Sequence, residues 1–272
     1  MPIIEAGAAL KPTIRSSAGA LPATVFLPKE HGSWSLALEP LALGLFATPS
    51  PAGAVLAIAA LAGFFARRPL KAVLAPDSGR PSAAVPALLL LSALALAGLG
   101  EAMVLGGLAA LWPLLLAAPL GGLFVWFDRQ NESRAAAAEL AGSATFALLP
   151  AAFATLVGRA WPAALALTAL ALARSVPTVL TVRTYLRLGK GQPVDVTVPL
   201  AAGVLSVGVI TALAWRHLVP QIAVVLVGLL LIRTVFFVTS FRPDWPARRV
   251  GLTEAVLGVL YVGILGFACH LP

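Results

Sequence analysis

Five ionisable side chains stand inside stretches that are otherwise apolar for many residues: Glu39, Glu139, Arg174, Arg233 and Glu254. The two arginines offer planar forks of N–H donors that match carboxylate or phosphate, and the three acids accept such donors or carry protons. At helical spacing Arg174 lines up with Thr178, Thr181 and Tyr185, a polar face about four turns long. Ser35 and Gly32 share a face with Glu39, and His31 and Trp34 stand at the mouth of the same stretch. Glu139 shares its face with Gly142, Ser143, Phe146 and Pro150, and Glu254 with Gly251, Gly258 and Tyr261. Small residues beside a carboxylate mark a seam between helices or the wall of a pocket. Arg233 stands above Phe237 and Ser240.

Two charged segments add to this set. Phe64 to Lys71 contains Arg67, Arg68 and Lys71, and Phe127 to Arg134 crowds Asp128, Arg129, Glu132 and Arg134 into a short connection. Two readings of the buried charges stand side by side. In one they are interhelical ion pairs that hold a bundle together. In the other they line a polar pocket with a surplus of arginine, suited to a phosphate or an anionic headgroup. Arg183 and Arg187 project from the side opposite Arg174, as cations that reach for headgroups do.

The elements that must position these groups follow from composition. Of 272 residues, 60% are hydrophobic and 11% charged, against about 25% charged in a soluble domain; the mean hydropathy is +0.95. This excludes an ordinary water-soluble fold and implies an all-α, polytopic transmembrane bundle. Proline, glycine and charge divide it into nine spans: Gly32–Ala47, Ala52–Ala66, Ser82–Gly100, Leu105–Phe127, Ala136–Gly158, Trp161–Val182, Val196–Trp215, Leu218–Ser240 and Val250–Ala268. The first two are short enough to be either two crossings or a re-entrant pair. Residues 1–30 read as a cytoplasmic tail and 31–272 as a single transmembrane domain.

Lys and Arg set the orientation. With the N-terminus inside and the C-terminus outside, fifteen of the nineteen fall on the cytoplasmic side, only Arg159 and Arg216 fall outside, and Arg174 and Arg233 lie within spans. The long loops are then cytoplasmic too, so chemistry belongs on the inner side of a bacterial-type cytoplasmic membrane. The net charge of +8 is matched to lipid headgroups rather than nucleic acid, since no basic domain stands outside the apolar segments. A P-loop, a Rossmann glycine fingerprint and a zinc-type His spacing are missing. Cys269 is the only cysteine, and the three histidines are far apart. No metal or cofactor is expected.

Four stretches carry a resemblance to a known family. Pro28-Lys29-Glu30-His31-Gly32-Ser33-Trp34, Arg67-Arg68-Pro69-Leu70, the Arg174 to Arg187 segment, and Arg248-Arg249-Val250-Gly251-Leu252-Thr253-Glu254 together resemble the YwiC-like bacterial membrane proteins. At greater distance the layout is similar to the UbiA superfamily of intramembrane prenyltransferases, which have nine helices, an inside N-terminus and an active site toward the cytoplasm. Arg68-Pro69-Leu70 and the run from Leu140-Ala141-Gly142-Ser143 to Leu149-Pro150 resemble segments of that superfamily. The Asn-Asp-x-x-Asp array that would precede Arg67 is missing, and the connection after the sixth span offers only Asp195. Those carboxylates would hold the Mg²⁺ ions of prenyl transfer, so the likeness implies architecture more than reaction.

The expected function is binding of an anionic amphipathic lipid or prenyl-type ligand in a cytoplasm-facing Arg/Glu pocket, without Mg²⁺-dependent chemistry. The expected site residues are His31, Glu39, Arg67, Arg68, Asp128, Glu139, Arg174, Thr178, Thr181, Tyr185, Arg233 and Glu254, and the expected partners are membrane lipids. The alternatives are a small proton-coupled transporter using the three glutamates, and a metal-independent lipid-modifying transferase with His31 or a glutamate as general base.

Overall fold

The computed structural model describes residues 31–74, 83–133 and 135–270, without the side chains of 31–33 and 270. The tail, with Lys29 and Glu30 of the opening motif, lies outside the described residues, as do the side chains of His31 and Gly32. Among the described residues every regular element is helical. Among the described residues nine apolar helical stretches run through the bundle, counting Ala136–Ala147 and Leu149–Leu156 as one, as the nine apolar stretches of the sequence predict.

Helix α1 is His31–Ala47, and a three-residue turn leads to α2, Pro51–Leu74. Thr48 Oγ1 closes α1 by donating to Gly44 O at 2.8 Å, and Ser50 Oγ accepts from Gly53 N–H at 3.0 Å to start α2. Helix α3 is Ala84–Gly106; Gly107, at φ 84°, turns the chain into a single 3₁₀ turn, Leu108–Leu111, that feeds α4, Trp112–Arg129. The fifth pass is broken into α5, Ala136–Ala147, and α6, Leu149–Leu156. Pro150 accounts for the break, because it has no N–H to donate to Phe146. Helices α7 (Trp161–Leu188), α8 (Thr197–Trp215), α9 (Ile222–Val238) and α10 (Ala247–His270) complete the bundle.

Seven passes are long and apolar enough to cross a membrane. α2, at 24 residues, is one of them, and it runs on through Arg67, Arg68 and Pro69, which the sequence places in a loop. α1 and α9 have 17 residues each, the lower limit for a crossing. α7 also outruns its apolar stretch, by one and a half turns, from Val182 to Leu188.

The layers follow from burial. In α7, 61% of the membrane window is buried within the protein, against 11% for α3, so α7 is the central helix and α3 faces lipid on most sides. α1 packs between α10 and the broken pass, and touches α7. Outward, Leu89, Leu96, Val104, Leu115, Val259 and Phe267 are exposed, the apolar surface of a protein dissolved in hydrocarbon. Inward, seams close on small residues. A Cβ on Gly44 would lie 2.2 Å from the ring of Phe153, which is fully buried, so only glycine lets α1 and α6 meet there. These features make the chain a multi-pass integral membrane protein.

Candidate functional site

The polar face of α7 enters a core otherwise built of alanine, leucine and valine, and three other helices answer it. Arg174 has only 3% of its side chain exposed. Its Nη1 lies 3.1 Å from Glu254 Oε2 and its Nη2 donates to the Glu254 carbonyl at 2.7 Å, tying α7 to α10. Its Nε and Nη2 face Glu39 of α1, at 3.3 Å and 3.4 Å from the two carboxylate oxygens. Nη1 also donates to Thr178 Oγ1, one turn along.

Thr178 then links the second arginine. Its hydroxyl donates back to Arg174 O at 2.7 Å and accepts from Arg233 Nη2 of α9 at 2.9 Å. The same Nη2 lies 3.2 Å from Glu254 Oε2, so this one oxygen is shared by both arginines. The Arg233 guanidinium carbon is 5.9 Å from the centroid of the Phe237 ring. Gly258 of α10 makes room for Glu39: a Cβ there would fall 2.0 Å from its Oε1. Glu39, Arg174, Thr178, Arg233 and Glu254 thus converge from four helices.

The group holds two acids and two bases, a balance where the sequence reading expects a surplus of arginine. Beside it lies a hollow of about 10 Å³ lined by Ser35, Glu39, Arg174, Ser175 and Tyr261 among others, the space of about one water. A headgroup does not fit in that hollow. Hydrogen-bonding capacity is left over: Arg174 Nε, Arg233 Nε and Nη1 and Glu254 Oε1 are buried without a hydrogen-bond partner.

The remaining expected residues belong to other contacts. Arg67 of α2 makes a two-pronged pair with Asp128 of α4, Nε to Oδ2 at 2.9 Å and Nη2 to Oδ1 at 3.0 Å, and stacks 4.5 Å over Phe124. Lys71 adds a third bond to Asp128 at 3.2 Å. Arg68 is half-buried on the same helix. Glu139 of α5 pairs with Arg183 of α7 at 2.9 Å, so Arg183 has a carboxylate within reach besides the headgroups expected for it. Thr181 meets Thr234 of α9, hydroxyl to hydroxyl, at 3.1 Å. Tyr185 donates to the Pro243 carbonyl at 2.6 Å and accepts from Trp245 N–H at 2.8 Å, fastening the α9–α10 connection.

Asp195, in the α7–α8 connection, receives the Thr197 hydroxyl at 2.6 Å and its N–H at 2.8 Å. These bonds, the hydroxyl first, hold its carboxyl below the usual range and start α8. Among the described residues no three His, Cys, Asp or Glu side chains gather to hold a metal. Sequence reasoning missed Thr234 and Phe124; the first adjoins Arg233 and was legible only by its position, while Phe124 gave no signal apart from its apolar neighbours.

No curated protein and no solved structure matches the chain. No comparison with known proteins supports the UbiA likeness. Residues 27–154 match the family described as YwiC-like protein. That stretch holds the opening motif, Glu39, the Arg67–Asp128 contact and Glu139, while Arg174, Arg233 and Glu254 lie beyond it. The resemblance read from the motifs thus has support over residues 27–154, where the chain is similar to the YwiC-like proteins.

Proposed function

We propose that this membrane protein binds an anionic amphipathic ligand of lipid or prenyl type, its head on Arg233 and its tail in the seam between α9 and α10, on the side that the Lys and Arg distribution assigns to the cytoplasm. The observation that carries this reading is the pair of buried guanidinium nitrogens of Arg233 without an acceptor. A buried donor left unbonded costs about 1–3 kcal/mol, and a phosphate or carboxylate takes two such donors at once. The seam supports the tail: α10 packs mainly on α1 and only lightly on α9, and Ile232, Phe236, Leu252 and Val256 on the two helices are exposed and apolar.

Native mass spectrometry of protein extracted from its own membrane tests this. Wild type carries a lipid-sized adduct, and Arg233→Ala lowers its occupancy about tenfold. Equal occupancy in the variant rejects the reading. A second reading, proton-coupled transport, is favoured by one observation, that Glu39 borders the water-sized hollow beside Arg174. Proteoliposome flux that Glu39→Gln abolishes would select it over the first.

A further inference from the structure

At the other end of the bundle from the Arg233 centre, α1 and α10 finish close together. The last carbonyls of a helix lack donors from its own turns, and its dipole places negative charge there. Arg159, in the α6–α7 turn, reaches across both: its Nη2 donates to Ala47 O at 3.2 Å and to Cys269 O at 3.3 Å. Its Nε and Nη1 take no part in the described bonds, and among the described ion pairs none includes Arg159. This is also one of the two cations that break the charge asymmetry of the loops. A half-buried cation on the poorer side, with no carboxylate partner among the described residues, attracts an anion from the membrane surface.

The same ends of α1 and α10 border an apolar groove of about 380 Å³ lined by Leu45, Phe46, Pro49, Gly263, Gly266 and Phe267. That volume is in the range of ligand pockets. Phe46 and Phe267 stand 57% and 69% exposed as its walls. Gly266 sets the wall spacing, since a Cβ there would lie 2.5 Å from Phe46 Cβ, whereas a Cβ on Gly263 would meet nothing within 4 Å and opens onto free space. A cation and a hydrocarbon groove at the same helix ends are the complement of a phospholipid: phosphate outside, one acyl chain within.

We infer that Arg159 and this groove form a binding site for an anionic phospholipid of the adjoining leaflet, separate from the Arg233 centre. The test is a native mass spectrometry titration of delipidated protein with phosphatidylglycerol and, in parallel, phosphatidylcholine. Wild type prefers phosphatidylglycerol by about fivefold, the contribution of one cation near an anionic surface. Arg159→Gln removes the preference, and Arg159→Lys, which keeps charge and donors, retains it. Gly263→Leu fills the groove without a clash and weakens both lipids alike.

An unchanged preference in Arg159→Gln overturns the inference. So does a preference lost in Arg233→Ala, which would place the lipid at the other end of the molecule. If Gly263→Leu instead shifts the monomer to dimer ratio and leaves lipid uptake unchanged, the groove seats a second copy of the chain and the inference falls.

Discussion

The Arg67–Asp128–Lys71 contact and the Glu39–Arg174–Arg233–Glu254 group use the same residue types, yet they are built differently. At the first, one carboxylate meets two cations with well-formed bonds, and Lys71 keeps 41% of its side chain exposed. At the second, Arg174, Arg233 and Glu254 are 3%, 9% and 8% exposed, one carboxylate oxygen serves both arginines, and two nitrogens of Arg233 have no acceptor. Proximity to water separates them. A pair that water can reach is weak and self-sufficient, whereas charges enclosed in a low-dielectric core depend on each other, and losing one strands the rest.

Three substitutions break or sharpen that contrast. The largest effect is expected from Glu254→Gln, which strips both arginines of their shared partner: about 3–5 kcal/mol of stability is lost, read as denaturant unfolding in detergent. A loss no greater than that of an exposed pair would erase the distinction drawn here. Gly258→Ala comes next, since the new methyl pushes the Glu39 carboxylate off Arg174; about 1–3 kcal/mol is expected, the usual range for overpacking, and Glu39→Gln in the same background should add little. The smallest effect is expected from Lys71→Met, at most about 1 kcal/mol, disappearing when the measurement is repeated in high salt. A salt-insensitive loss at Lys71 would mean that the inner-end contact is also sealed.

Much of the architecture was legible because hydropathy and the placement of Lys and Arg report directly on membrane crossing. The nine stretches match nine helical runs among the described residues, but Ala136–Gly158, read as one span, is two helices, Ala136–Ala147 and Leu149–Leu156. Helix ends were less legible. Hydropathy falls at Arg67 and Arg183 because the inner turns are polar, but backbone hydrogen bonding continues to Leu74 and Leu188. The sequence grouped Glu39, Glu139, Arg174, Arg233 and Glu254; four of them converge, while Glu139 pairs with Arg183 instead. Their pairing was not legible, since spacing along one helix says nothing of which neighbour answers it.

Tyr185 shows the limit clearly. It shares a face with Arg174, but eleven residues separate them, about 16 Å along the axis, and its hydroxyl serves Pro243 and Trp245 at the inner end. A common stripe can therefore cross two sites. The Arg159 contact was hidden for a related reason. It joins a turn to two helix ends more than a hundred residues away in the chain, and only its breach of the charge rule marked it.

Glu254 belongs to α10, which follows every other described helix in the chain. As the polypeptide leaves the ribosome and enters the bilayer segment by segment, Arg174 and Arg233 arrive with Glu39 alone to offset them. Electrical neutrality in the core is reached only when the closing segment docks beside α1. Until then the core holds one cation more than its acids can offset.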